Sequence, residues 1–286
     1  MTRRYAFRVV NVFAEQRLAG NPLAVVEDAQ GLSDAEMQAL ALQFNLSETT
    51  FLLAAGDADA HVRIFTPTFE MPFAGHPTLG SAFVVRALGR GGDAVRLKMR
   101  AGIIPVGAGA DAARRDVWTL TANAPTFRAY EFSRAKVAEA LGLEEADVAA
   151  EPRWCSAGVE QLIVPLTSVA AVERVRPRMD LCLEYCANFM EAQAYVFARH
   201  DAGNVVSRYF FQQGGSLIED PGTGSACANL GAYLLDTGVT PPLRVDVHQG
   251  AATGRPCLLH LEIDADRRIR VGGRVVEIMR GEITLD

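Results

Sequence analysis

The chain has 286 residues, 49% of them hydrophobic and 22% charged, with a formal net charge of −6. At roughly 100–200 residues per domain this length implies two domains, and no long stretch is polar enough to stay disordered. The acidic balance excludes a broad electrostatic footprint for nucleic acid. Arg3 and Arg4 precede alternating Val and polar residues, not the apolar run of a signal peptide or of a membrane span of about 18 residues, so neither a nucleic-acid nor a membrane partner is expected and a cytoplasmic location is.

In chain order, Tyr5 to Phe13 alternates as a strand does, Asn21-Pro22 marks a turn, and Leu23 to Val26 reads as a second strand. Ser33 with Glu36 forms a capping box opening a helix to about Phe44, with Met37, Leu40, Ala41 and Phe44 on one face. Strands follow at Thr49–Leu53 and His61–Phe65. A Pro/Gly-rich stretch from Thr66 to Gly80 then leads into an apolar helix ending near Leu88. Beyond Gly89 to Gly92, strands are expected at Ala94–Arg100, Ile103–Val106 and Val117–Thr121, and Asn123-Ala-Pro125 reads as the link to a second half. There a helix capped by Ser133 runs to Leu141, a strand lies at Leu162–Pro165, and a helix or turn spans Met179–Phe189. Strands at Gln193–Phe197 and Val205–Phe211 precede a glycine loop, Gly214 to Gly224, and a second apolar helix, Ser225 to Leu235. Strands at Leu243–Gln249, Cys257–Ile263 and Gly273–Arg280 close the chain.

Two passages look like versions of one unit. Arg63-Ile-Phe65, the loop around Gly75 and the helix after it match Arg208-Tyr-Phe210, the loop around Gly222 and its helix, with an offset of 222 − 75 = 147 residues. From Leu79 to Leu88 only Ser81 and Arg86 are strongly polar; from Ala226 to Leu235 only Asn229 is. A helix apolar on nearly all sides is buried on nearly all sides. The expected architecture is therefore α+β: two pseudosymmetric domains, each an antiparallel or mixed sheet wrapped around a central apolar helix. The boundaries expected are 1–124 and 125–275, with 276–286 returning to the first domain.

Each glycine loop delivers the chain to the N-terminus of a buried helix, where backbone N–H groups lack partners and the dipole is positive. Two such ends facing one cleft would grip a small anion, most simply a carboxylate. No phosphate-loop signature is present, and Gly107-Ala-Gly109 lacks the rest of a dinucleotide fingerprint. His76 before the first helix fits a structural hydrogen-bonding role as well as a chemical one, and Asp220, Thr223 and Ser225 fit helix caps. Cys155, Cys182, Cys186, Cys227 and Cys257 make no disulfide framework. The histidines at 61, 76, 200, 248 and 260 are not spaced to join Cys182 and Cys186 around a metal, so the thiols read as buried and free. No metal or organic cofactor is expected.

Val10-Asn-Val-Phe13 with Gly20-Asn-Pro-Leu-Ala-Val25, Leu46-Ser-Glu-Thr-Thr-Phe51, Phe65-Thr-Pro67, Phe73-Ala-Gly-His-Pro-Thr-Leu-Gly80 and Asp220-Pro-Gly-Thr-Gly-Ser-Ala226 occur in order along essentially the whole chain. In these motifs the sequence resembles the PhzF family of phenazine biosynthesis, within the diaminopimelate epimerase-like fold. The resemblance implies a homodimer that isomerises trans-2,3-dihydro-3-hydroxyanthranilate or a related small carboxylate. Glu48 would be the acid/base residue, with His76 and Asp220 completing the catalytic set. Ser47, Gly75, Gly222, Thr223, Gly224 and Ser225 would hold the substrate. One carboxyl group can take a proton from one ring carbon and return it to another if the proton stays on it, which requires a dry site that favours the acid form. The related epimerases use two opposed cysteines; here those places read as Ala74 and Pro221, which disfavours a two-thiol racemase. Two alternatives stay open: a non-catalytic protein that binds small acids, and an amino-acid epimerase working through carboxylates.

Overall fold

The computed structural model describes residues 2–109, 114–200 and 203–286. The chain divides into two compact units, Met1–Thr121 with Gly272–Asp286, and Ala122–Val271.

In the first unit, strand Arg3–Val12 lies between Asn21–Val26 and the long C-terminal strand Ile269–Leu285, antiparallel to both. Asn21–Val26 runs parallel to Glu48–Leu53, which pairs antiparallel with Ala60–Phe65. Ala60–Phe65 is antiparallel to the short Glu70–Met71 and parallel to Ala94–Met99, and antiparallel Gly102–Ala108 and Val117–Thr121 follow. The ring closes where Val117–Thr121 meets the return strand; there the Val275 N–H donates to the Asp116 carbonyl at 2.8 Å. Arg8, almost wholly buried, locks the return strand in place by reaching Glu27 at 2.6 Å and Glu277 at 2.9 Å.

The second unit repeats this order. Thr126–Ala129, Arg153–Ser156 and Glu160–Pro165 are antiparallel neighbours. Glu160–Pro165 is parallel to Gln193–Arg199, and Gln193–Arg199 antiparallel to Asn204–Gln213. Asn204–Gln213 forms a hairpin with Ser216–Asp220 and runs parallel to Leu243–Gln249, beside which Cys257–Ile263 is antiparallel. In both units a parallel pair is followed by an antiparallel pair, a short hairpin strand, a helix, and a second parallel pair. The helix serves as the crossover that parallel strands require.

Those two helices are the cores. Gly75–Ala87 buries His76 to Ala82, Val84 and Val85, and Gly224–Asp236 buries Ala226 to Leu235. Their apolar composition thus reads correctly as burial on nearly all sides. Gly80 is where the first helix presses on the sheet. A Cβ there would lie 2.5 Å from a Leu23 methyl and 3.1 and 3.2 Å from the stiff methyls of Val12 and Val10. Gly80→Val is expected to lower stability by about 3 kcal/mol through overpacking, read as a drop in the urea midpoint at unchanged slope.

The repeated Arg-x-Phe carries a device invisible in the sequence. Arg63 stacks on Phe65 and forks onto Glu70 through two 2.8 Å bonds; Arg208 stacks on Phe210 and forks onto Glu219 at 2.9 and 2.8 Å. In each case the glutamate stands on the adjacent hairpin strand, so a bidentate ion pair fixes the strand that leads into the central helix.

Several sequence expectations need adjusting. The first buried helix begins at Gly75, so His76 and Pro77 belong to its first turn, where a proline's missing N–H costs nothing. Gly214 to Gly224 is not one loop: Gly214 and Gly215, both at positive φ, turn a hairpin whose second strand is Ser216–Asp220. Aligning the helix starts gives 224 − 75 = 149, not 147, and puts Ala74 and Thr223 at matching N-caps, with Pro221 two residues earlier. Ser133 is an N-cap without a side-chain hydrogen bond, whereas the Ser33–Glu36 capping box is fully formed.

Candidate active site

In the first unit, the helix Asp34–Phe44 ends at Asn45, whose left-handed φ of 50° turns the chain into strand Glu48–Leu53. Glu48 opens that strand opposite Leu23, with exposed Ser47 just before it. Glu48 Oε2 comes within 3.3 Å of His76 Nε2, with side chains 15% and 7% exposed, though the pair is not aligned as a hydrogen bond. On the other side of the ring, Asn21 Nδ2 lies 3.5 Å from His76 Nδ1. Asn21 is placed by Gly20 (φ 82°), where a Cβ would lie 2.6 Å from the Val12 carbonyl and the Ala14 methyl, so only glycine serves.

Burial drives the His76 pKa down to about 3, against the weaker opposing pull of the Pro22 carbonyl. The imidazole is therefore neutral at physiological pH, and its contact with Glu48 is that of a neutral ring with a carboxyl group, not an ion pair. Gly75 starts the helix and Ala74, at the cap, offers no side-chain acceptor. Its first N–H groups are left to other partners.

In the second unit the loop Asp220–Thr223 enters helix Gly224–Asp236. The Thr223 hydroxyl donates to Asp220 Oδ2 instead of capping the helix. Gln249, buried at the end of its strand, holds the loop with both ends of its amide. Its Oε1 accepts from the Thr223 N–H at 3.2 Å, while its Nε2 donates to the Asp220 carbonyl at 2.9 Å and to the Thr223 hydroxyl at 3.0 Å. Gly222 is buried within the loop, and Gly224 and Ser225 open the helix half-exposed. Gly250, which follows Gln249, sits at φ 81°; a Cβ there would fall 2.3 Å from the Arg255 carbonyl and 2.4 Å from the Pro221 carbonyl. Gly250→Ala is expected to cost about 2–3 kcal/mol and to loosen the clamp. The measurement is a denaturant melt paired with loss of slow exchange at the Thr223 amide.

Each unit thus carries one of the expected groups: Glu48 and His76 meet in the first, and Asp220, Thr223, Gly224 and Ser225 cluster in the second. Sequence reasoning missed Asn21, Gln161 and Gln249, whose partners lie 26 to 68 residues away. Asn229 was visible as the only strongly polar residue of an otherwise apolar helix, without a role attached. All five cysteines are buried and free, and burial pushes the Cys227 thiol far above its ordinary range. Among the described residues no three His, Cys, Asp or Glu side chains group as metal ligands, and no helix is long and apolar enough to cross a membrane.

The profile of the phenazine biosynthesis-like protein family, PhzC-PhzF, matches residues 10–281. The chain belongs to this family. It is 38% identical to an uncharacterized isomerase of Pasteurella multocida, over 99% of this chain and 95% of that protein. It is 34% identical to the trans-2,3-dihydro-3-hydroxyanthranilate isomerase of Pseudomonas aeruginosa, over 90% of this chain and 89% of that one. The crystal structure of a PhzF-family protein of Bacillus anthracis superposes with a TM-score of 0.87 at 25% identity, covering 98% of this chain and 99% of the other. The α+β architecture, with β-strands around a buried helix in each unit, is thus the PhzF fold. The PhzF motifs quoted from the sequence fall on the strand start at Glu48, on the first turn of helix Gly75–Ala87 and on the loop held by Gln249.

Proposed function

We propose that this PhzF-family protein is an isomerase that moves a proton within a small carboxylate-bearing substrate, with Glu48 as the acid/base group and His76 and Asp220 as the other residues of the catalytic set. The observation that carries the reading is the Glu48–His76 pair, a carboxyl group largely shielded from water against an imidazole that burial keeps neutral.

The chemistry balances with that one group. The Glu48 carboxylate takes a proton from a substrate carbon, and the electron pair of the broken C–H bond shifts into the adjoining double bonds. The carboxylic acid then delivers the proton to a second carbon of the same conjugated system, which regenerates the carboxylate. A neutral His76 neither traps the proton nor holds Glu48 ionised as a cation would. The low exposure of the Glu48 side chain limits loss of the proton to solvent. Ser47, Gly75, Gly222, Thr223, Gly224 and Ser225 are assigned to substrate binding; backbone N–H groups in the first turn of a helix favour an anionic group. The absence of cysteine at Ala74 and Pro221, where the related epimerases would carry their thiols, supports carboxyl chemistry over a two-thiol racemase.

The first substrate to try is trans-2,3-dihydro-3-hydroxyanthranilate, the compound named for the Pseudomonas aeruginosa relative. Incubation in deuterated water, followed by proton NMR, should show conversion with part of the migrating hydrogen retained from substrate. Binding without proton exchange would replace this reading with that of a small-acid-binding protein. Loss of optical purity in a candidate amino acid would replace it with that of an epimerase.

A further inference from the structure

A chain of buried amides in the second unit ends on Ser225, and its direction can be read from its anchors. The Ala157 N–H can only donate and lies 2.7 Å from Asn229 Oδ1; the Val159 carbonyl can only accept and lies 2.8 Å from Asn229 Nδ2. These two backbone groups settle which way the Asn229 amide faces. The second Asn229 N–H then donates to Gln161 Oε1 at 2.8 Å, which turns Gln161 Nε2 the other way. That nitrogen donates to the Ser225 hydroxyl at 3.1 Å and to the Tyr209 hydroxyl at 3.2 Å. Tyr209, having accepted, passes its own proton to Gln193 Oε1 at 2.6 Å, and Gln193 Nε2 closes the chain on the Glu160 carbonyl at 2.9 Å. Gln161, Gln193 and Asn229 are each 1–2% exposed, so reversing any one would strand buried donors and acceptors.

The chain delivers a hydrogen bond to Ser225 and takes none from it. Among the described residues none accepts the Ser225 proton, and Ser225 is only half-buried. We infer that Asn229 and Gln161 are positioning residues that fix the polarity of Ser225, so that its hydroxyl donates to an acceptor group of the ligand, an anionic carboxylate, and discriminates against a ligand that presents only an amine there. The inference rests on the proposed function in taking the ligand to be a small carboxylate. It adds the residues that choose between acceptor and donor at that position.

The test measures binding of anthranilate and of aniline, which lacks the carboxylate, by calorimetric titration of the full chain. Wild type should prefer anthranilate at least ten-fold. Gln161→Met, which cannot donate to Ser225, should weaken anthranilate ten-fold or more, as should Ser225→Ala. The double variant should be no weaker than either single one, because both remove the same contact. Tyr209→Phe leaves the Asn229–Gln161–Ser225 arm intact and should keep wild-type affinity while melting at lower temperature, which separates polarity from general loosening. If Gln161→Met does not fold, the near-isosteric Gln161→Glu replaces it. That variant would accept the Ser225 proton and should weaken anthranilate only where Ser225 is present. Wild-type affinity in the Gln161 variant, additive losses in the double variant, or no preference for anthranilate in wild type would each overturn the inference. Failure of the isomerase reading looks different: this affinity pattern would persist with no turnover.

Discussion

Glu48→Gln is expected to reduce isomerisation by about 10²–10⁴-fold, the usual contribution of a positioned acid/base group, with KM changed little. Glutamine keeps the shape of the side chain and can still sit against the His76 ring, so the fold and the neutral environment survive while the group that accepts a proton from carbon is gone. The loss should fall on kcat, because the missing interaction exists only while the proton is in transfer. Hydrogen exchange between substrate and deuterated water, followed in the same experiment, should fall in parallel. A variant that retains full kcat would remove Glu48 from the chemistry, whatever the substrate proves to be.

The second large effect concerns His76 and acid. Its folded pKa is about 3, against about 6.5 in an unfolded chain. Between those values the unfolded state takes up a proton that the folded state refuses, so stability is undiminished above pH 6.5 and falls as pH drops toward 3. The slope is about 1.4 kcal/mol per pH unit, and the whole interval amounts to on the order of 5 kcal/mol. Surface carboxylates such as Glu36, whose pKa Arg3 and the Ser33 cap hold down at about 2, add a loss of their own at the acid end. The His76 contribution is therefore the difference between wild type and His76→Asn. Urea melts from pH 7 to pH 4 should show the stability gap between the two shifting steadily in favour of His76→Asn. The ring signals of His76 should not titrate between pH 5 and 8. A titration near or above 6.5 would mean that Glu48 holds the ring charged as an ion pair, and the proton economy proposed for the site would fail with it.

How far the sequence disclosed all this depended on the range of the forces involved. Val117–Thr121, Leu243–Gln249 and Cys257–Ile263 are legible to the residue because burial alternates along them, and the Ser33 cap is legible because its partner is three residues away. Thr126–Ala129 is not legible, because all four residues are exposed and only pairing with Arg153–Ser156 makes it a strand. The sequence sets His76 before the first buried helix, whereas the structure starts that helix at Gly75. Glu48 was legible only through its motif: nothing in its neighbours along the chain distinguishes it from other glutamates until the fold brings His76 beside it. Gln249 and Gln161 gave no signal, since an amide's role is set by partners dozens of residues distant.

The return strand has a consequence for biosynthesis. The ring of the first unit needs Gly272–Asp286 beside Arg3–Val12, so the half translated first cannot close until the ribosome has made residues 272–286. The contiguous second unit, by contrast, is already complete by Val271. The order of maturation is therefore reversed with respect to the order of synthesis. Throughout that interval the nascent Arg3–Val12 segment presents an open hydrogen-bonding edge, with Arg8 still lacking Glu277, the carboxylate that eventually secures it.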